Sequence, residues 1–384
     1  MLRVLVDATA IPAELRGVGR YLDNLLPALV AAGVEVTALA QTRDRAHFQS
    51  LGTEVADERV PAGRLARLAW EQYGLPAAAG RSGPDVLHSP HYTHPVRWRG
   101  PLVVTVHDGT FFSDPQWHTR SKGPFFRTAT RLAVRRAEVC VVPAQATADE
   151  LTSRLGADPA RLQVAYLGVD TTLFRPPDAQ AKARVRALVG LAPDEDFVAF
   201  LGTLEPRKNV PALIRGWVAA CSRLDGQPPA LVLVGGAGWS GAGSNDDLEA
   251  AVAAVPAGLR LLRPGYLPLE ELPRLLGAAT LVAYPSFGEG FGLPVLEGMA
   301  CGAAVLTTRR LALPEVGGDA VAYTEPDDAS IADALCRLLR DPALRARLGA
   351  AGVARAADFS WAACAAAHIR AYELAVRRSG SDRR

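Results

Sequence analysis

The sequence predicts two successive α/β domains, each built around a parallel sheet. Three observations carry this. Short apolar runs of strand length, bounded by Gly, Pro or Asp, alternate with longer Ala/Leu/Arg-rich stretches at helical spacing, the pattern of βαβ units with buried strands. After a turn-rich seam the alternation restarts. The length, 384 residues, is enough for two domains at roughly 150 residues each.

In chain order, the first set of strands is LRVLVD at 2–7, VEVTALA at 34–40, DVLHSP at 85–90, LVVTVHD at 102–108 and VCVVPA at 139–144, with helical stretches at 18–32 and 125–137. The seam is GVDTTLFRPP at 168–177, closed by a Pro pair and followed by a charged helical stretch at 178–190. The second set is FVAFLGT at 197–203, ALVLVGG at 230–236, LRLLRPG at 259–265, TLVAYPS at 280–286 and AAVLTT at 303–308. The reading divides the chain into 1–175 and 176–360. It leaves open whether the helix WAACAAAHIRAYELAV at 361–376 packs back on the first domain, and it expects the polar RRSGSDRR after it to fray. No fixed-period repeat appears. Ligands of open parallel sheets bind beyond the carboxyl ends of the strands. The expected site is therefore a cleft where the two sets of strand ends face each other.

Composition removes several classes of function. Lys and Arg number 42 against 40 Asp and Glu, a net charge of +2. That balance argues against a dedicated nucleic-acid binder. Hydrophobic residues at 49% and charged residues at 21% fit a globular enzyme and not a disordered chain. The five cysteines (Cys140, Cys221, Cys301, Cys336, Cys364) lack metal-ligand spacing, and their odd number fits a reducing compartment. The start, MLRVLVDATA, lacks the pattern of a signal peptide, and every long apolar candidate is interrupted, so a cytoplasmic location is expected. Lysine occurs only at 122, 182 and 208, which draws attention to each one.

Four segments could carry chemistry. In Arg16-Gly17-Val18-Gly19-Arg20, glycines ahead of a helix would let the backbone approach an anion; the plainer alternative is a flexible loop, since Leu22 stands where a dinucleotide fingerprint needs its third glycine. His107-Asp108 closes a strand, where the imidazole could bind a sugar hydroxyl or move a proton; the alternative is a structural His against Asp108. His88 and His91 end the preceding strand and are candidates for the acceptor side. In Gly202-Thr203-Leu204-Glu205-Pro206-Arg207-Lys208-Asn209, two cations open a helix against its dipole, a conflict that a bound diphosphate would resolve; the alternative is solvated charge paired with Glu205.

The richest stretch is Phe287-Gly288-Glu289-Gly290-Phe291-Gly292-Leu293-Pro294, running on through Glu297 to Gly302. Glycines before a Pro-started helix let backbone N–H groups converge, with carboxylates just outside and one turn inside the entrance. The alternative for Glu297 is helix-dipole complementarity. Asp194-Glu195-Asp196 has the form of a DxD metal motif but precedes a strand, so it reads as a solvated turn. The loop at 235–247 follows a strand and could line the cleft. Phe125, Phe126, Arg127, Arg131, Arg135 and Arg136 form a basic helix that could touch an anionic membrane surface or simply face solvent.

Together these segments resemble the retaining glycosyltransferases of family 4, with the GT-B architecture of two Rossmann-like domains. The most specific part is Glu289-x7-Glu297 within PSFGEGFGLPVLEGMACG, followed by GTLEPRKN at 202–209, His107 and the early glycine loop. The resemblance implies a nucleotide-sugar donor held mainly by the second domain, and no cofactor or metal. It implies that Lys208, with Arg207, holds the diphosphate and that Glu297 binds the ribose. Glu289 and the N–H groups around Gly290, Phe291, Gly292 and Leu293 would hold the transferred sugar. His107 would contact that sugar from the other domain, and Gly17 and Gly19 would approach the phosphates. Thr203 stands where many members carry arginine, which leaves the second positive charge to Arg207. His88, His91 and Asp108 are the acceptor-side candidates.

EPRKN is similar to bacterial mannosyltransferases of surface-polysaccharide pathways, so GDP-mannose is the first expected donor and UDP-sugars the second. The acceptor is expected to be a lipid-linked glycan, a small metabolite or a natural product; oligomeric state is not legible. Two rivals remain: a nucleotide-sugar 2-epimerase of the same architecture, and a catalytically silent nucleotide- or glycan-binding module.

Overall fold

The structure, a computed structural model, describes residues 1–11, 17–117, 122–236 and 246–381. The chain forms two compact units: Met1–Gly168 with Ser360–Arg384, and Val169–Phe359.

The first unit carries seven strands: β1 (Arg3–Asp7), β2 (Glu35–Leu39), β3 (Glu54–Val55), β4 (Val86–Ser89), β5 (Leu102–Thr105), β6 (Val139–Val142) and β7 (Leu162–Val164). They form one parallel sheet in the order β3-β2-β1-β4-β5-β6-β7. The inner strands are buried along nearly their whole length because helices cover both faces. One face packs on helix Val18–Ala31, through Leu22, Leu25, Leu26 and Leu29, and on the C-terminal helix Trp361–Ser381, through Ala365, Ala371 and Tyr372. The C-terminal helix thus completes a core that begins at residue 4. Of the segment expected to fray, the helix includes residues up to Ser381, and Arg378 Nη2 donates to the Ala160 carbonyl at 2.9 Å; residues 382–384 lie outside the described residues.

The second unit carries β8 (Phe197–Leu201), β9 (Ala230–Val234), β10 (Leu261–Gly265), β11 (Leu281–Tyr284), β12 (Val305–Thr308) and β13 (Ala322–Thr324), again all parallel, in the order β10-β9-β8-β11-β12-β13. Helix Val210–Cys221 buries Trp217, whose Nε1 donates to Pro229 O at 3.0 Å, and lies against helix Asp328–Arg340, which Asp327 caps by accepting from Ser330 N. Each sheet runs outward in both directions from a central pair, β1/β4 and β8/β11. At such a reversal of strand order the connections leave a crevice beyond the carboxyl ends, where ligands of this class of sheet sit.

Candidate active site

At the β8/β11 reversal two loops meet. The loop after β8 makes a short turn at Pro206–Lys208, and Asn209 adopts a left-handed conformation (φ 58°) before helix Val210–Cys221 begins. Arg207 and Lys208 therefore sit in a separate turn and do not open the helix as expected from the sequence. Asn209 fixes the turn by donating from Nδ2 to the carbonyls of Pro285 (3.1 Å) and Pro326 (2.7 Å). The loop after β11 is tied to it by Phe287 N, which donates to Arg207 O at 2.9 Å.

These anchors bring two cations onto one carboxylate. Lys208 Nζ donates to Glu289 Oε1 at 2.7 Å, and Arg207 Nη1 donates to Glu289 Oε2 at 2.5 Å. Arg207 also reaches Gly288 O (2.7 Å) and Glu205 Oε1 (3.1 Å). Tyr284, the last residue of β11, accepts from Lys208 Nζ and donates to Glu289 Oε1 at 2.9 Å. The Ser286 hydroxyl stands 2.8 Å from the same oxygen. Lys208, Glu289 and Tyr284 are all buried. Burial alone would raise the Glu289 pKa, but the adjoining charges of Arg207 and Lys208 outweigh it and hold the carboxyl down at about 2. Burial lowers the Lys208 pKa, with Glu289 pulling the other way. Burial, then the charge of Glu289, pushes the Tyr284 phenol well up. The group is a buried, ionised cluster at a strand-end crevice, and such a cluster can meet an incoming polyanion with its cations already oriented.

Of the residues singled out from sequence, the structure gathers Arg207, Lys208 and Glu289 within hydrogen-bond reach. The two cations pair inside the chain with Glu289 and Glu205. Gly290, Phe291, Gly292 and Leu293 form the approach to helix Leu293–Ala300, with Gly292 at φ 102° just before it. Phe291 is buried edge-on against Phe359, ring centroids 5.9 Å apart. Glu297 is buried within that helix. Thr203 lies half-buried in the loop after β8, and its carbonyl accepts from Glu205 N at 2.9 Å. Sequence reasoning did not single out Tyr284 or Asn209; the signal was a tyrosine ending a strand beside the glycine loop.

In the first unit, His107 follows β5; its Nε2 donates to Pro90 O at 2.8 Å, and its ring stands edge-on to Tyr21 at 5.2 Å between centroids. Burial lowers its pKa below the ordinary imidazole value. Asp108 accepts at Oδ1 from Thr110 N (3.1 Å) and Oγ1 (2.7 Å) and at Oδ2 from Tyr92 OH (3.1 Å), which fixes the short helix Thr110–Ser113. His88 differs from expectation. It lies inside β4 with no exposed surface, and its ring nitrogens bond Tyr372 OH (2.9 Å) and Thr105 Oγ1 (2.8 Å). An acceptor would have no access to it, and His88 instead ties the C-terminal helix to the sheet. His91 is buried near Asp7.

Gly17 precedes helix Val18–Ala31 at φ 45°, so Gly19 falls inside the helix and not in the loop before it. Arg16 lies outside the described residues, as does most of the loop at 235–247. The DxD-like turn precedes β8, and its Glu195 accepts from Arg260 and from Ala192 N. On the basic helix, Phe126 stacks on Phe111 at 4.8 Å and Arg127 Nη1 donates to Phe111 O at 3.2 Å, so part of that face is committed to the interior. Among the described residues, no helix is long and apolar enough to cross a membrane.

Comparison with known proteins places this geometry in a family. Residues 15–173 match the sequence profile of Glycosyltransferase Family 4, and residues 182–355 that of Glycosyl transferases group 1. The chain is 33% identical to the D-inositol 3-phosphate glycosyltransferase of Mycobacterium avium, over 96% of this chain and 91% of that protein. It is 29% identical to the O-antigen chain mannosyltransferase B of Escherichia coli, over 75% of this chain and 74% of that protein. Its fold matches the sucrose-phosphate synthase of Thermosynechococcus elongatus (TM-score 0.75, 23% identity, 97% of this chain and 98% of that one). It also matches Anabaena HepE in complex with UDP and glucose (TM-score 0.74, 20% identity, 95% of this chain and 98% of that one). The two parallel sheets, the paired profiles in chain order and the full-length relatives have one reading: the chain belongs to the family 4 glycosyltransferases of GT-B fold.

Proposed function

We propose that this glycosyltransferase moves a hexosyl group, mannose first among candidates, from a nucleotide-diphosphate sugar to a hydroxyl acceptor with retention of anomeric configuration. The observation that carries the proposal is the Arg207–Lys208 pair held on Glu289 at the carboxyl ends of β8 and β11. Breaking the anomeric C–O bond leaves negative charge on the diphosphate. Two pre-placed cations in a dry site stabilise that charge without reorganising, so no divalent ion is required at the leaving group. Glu289 is a poor covalent nucleophile in this setting. Its oxygens accept from both cations, from Tyr284 and beside Ser286, and its low pKa reflects the weak basicity that follows. It orients the sugar and the cations. Retention then proceeds by front-face attack, with the departing phosphate taking the acceptor's proton.

The relative named as a mannosyltransferase favours a mannosyl donor. A UDP-sugar is the second reading, favoured by the UDP-bound fold neighbour. A thermal-shift screen with GDP, UDP, ADP and TDP separates them, with the largest shift expected from GDP. Lys208→Ala should lower kcat by about 10²–10³-fold while circular dichroism stays unchanged; unaltered turnover would remove the diphosphate role. NMR of the product should show the donor's anomeric configuration, and an inverted product would overturn the mechanism. The rate should not respond to added Mg²⁺.

A further inference from the structure

A second polar cluster lies at the other strand-order reversal, β1/β4. Asp7 ends β1 and is fully buried. Its Oδ1 accepts from Thr9 N (3.0 Å) and Thr9 Oγ1 (2.6 Å). Its Oδ2 has no hydrogen-bond partner among the described residues, and neither has His91 Nε2, which faces it at 3.5 Å. Glu71, from helix Arg64–Ser82, completes the group: one carboxylate oxygen each from Asp7 and Glu71 and one ring nitrogen of His91 lie within 4.8 Å of one another.

The surrounding hydrogen bonds decide where the imidazole proton sits. Thr93 Oγ1 donates to Glu71 Oε2 at 2.9 Å, so its oxygen accepts from His91 Nδ1–H at 3.0 Å. Nε2 is thus the ring nitrogen turned toward the buried Asp7 carboxylate. Two lone-pair atoms so placed repel unless positive charge stands between them. A proton would draw them to the ~2.7–2.9 Å of a charge-assisted hydrogen bond. The 3.5 Å separation is close to one edge of a tetrahedron around zinc, about 3.3–3.6 Å for bonds of about 2.0–2.2 Å, and the Glu71 oxygen lies within 4.8 Å of both atoms. Asp7 and Glu71 face one guanidinium, Arg67, whose Nη1 is 2.9 Å from Glu71 Oε2, while Glu71 Oε1 accepts from Gln72 Nε2 at 3.1 Å. Arg67 and Thr93 hold Glu71, and Thr93 holds His91, as outer partners of metal ligands do. His88, on β4, has both ring nitrogens committed elsewhere and does not compete.

We propose that Asp7, Glu71 and His91 bind one divalent transition-metal ion, zinc by ligand type, which pins the end of β1, the loop after β4 and helix Arg64–Ser82 together. The site lies in the first unit and is independent of the proposed donor chemistry.

The test uses the untagged full-length chain stripped with a chelator. One equivalent of Co²⁺ should give the visible absorption of a low-coordinate nitrogen–oxygen site, Zn²⁺ should abolish it, and zinc should raise the thermal midpoint. His91→Gln and Asp7→Asn should lose the band and at least about tenfold of zinc affinity. No stoichiometric binding by the wild type would overturn the proposal and leave a proton bridging Asp7 and His91; so would a band that survives His91→Gln. Should the variants not fold, zinc X-ray absorption of the wild type decides. One imidazole among oxygen ligands is expected, and a sulfur shell or no imidazole refutes the assignment.

Discussion

Glu289 is the residue on which the cluster with Arg207 and Lys208 turns. Because its carboxyl is held near 2 against an ordinary 4.5, its ion pairs contribute stability that is complete above about pH 4.5 and is lost as pH falls toward 2. The thermal midpoint should fall over that window, and Glu289→Gln should flatten the decline. Tyr284 bridges Lys208 and Glu289 through its hydroxyl. Tyr284→Phe removes about one net hydrogen bond's worth, ~1 kcal/mol, and should lower the melting point by a few degrees and kcat severalfold, checked by steady-state kinetics beside a melting curve. His107 donates from Nε2 to Pro90, which leaves Nδ1 as its accepting nitrogen, and burial keeps the ring neutral at pH 7. The acid limb of kcat/KM should therefore lie below the ordinary histidine range, and His107→Gln should remove it. At this scale the sequence marked 205–209 and 287–297 as segments to read closely but did not show how their side chains pair. Residues 82 apart in the chain, such as Arg207 and Glu289, meet only through the sheet. His88 misled because a histidine at a strand end carries no sign of which way its ring is turned.

Elements were legible in proportion to their burial. β8 and β9 are apolar at every position and covered on both faces, so their runs stand out. β3, β7 and β13 are only two or three residues long and partly exposed, and they left no periodic signal. Glycine carried better information. Gly292 stands at φ 102° before helix Leu293–Ala300, and a Cβ there would lie 2.7 Å from Leu313 Cδ2. Gly292→Ala should cost about 1–3 kcal/mol and weaken nucleotide binding more than it lowers the melting point, because the N–H groups it positions lie beside Glu289.

For the whole molecule, repetition was the legible feature: two sets of strands with a seam between them. Less visible was that the first unit is discontinuous, with Ser360–Arg384 belonging to it, while Val169–Phe359 is a single stretch. Removing everything after Phe359 takes away Ala365, Ala371 and Tyr372 from the first core. Limited proteolysis of that truncation should digest the first unit and spare a fragment spanning the second. The same arrangement sets an order on biogenesis. A ribosome finishes the second unit before it has made the helix that closes the first, so the earliest-born half waits with an unsealed interior while its younger neighbour can already have folded. A nascent chain of this design therefore calls for chaperone protection at its leading end, and stalling translation near residue 360 should capture that intermediate.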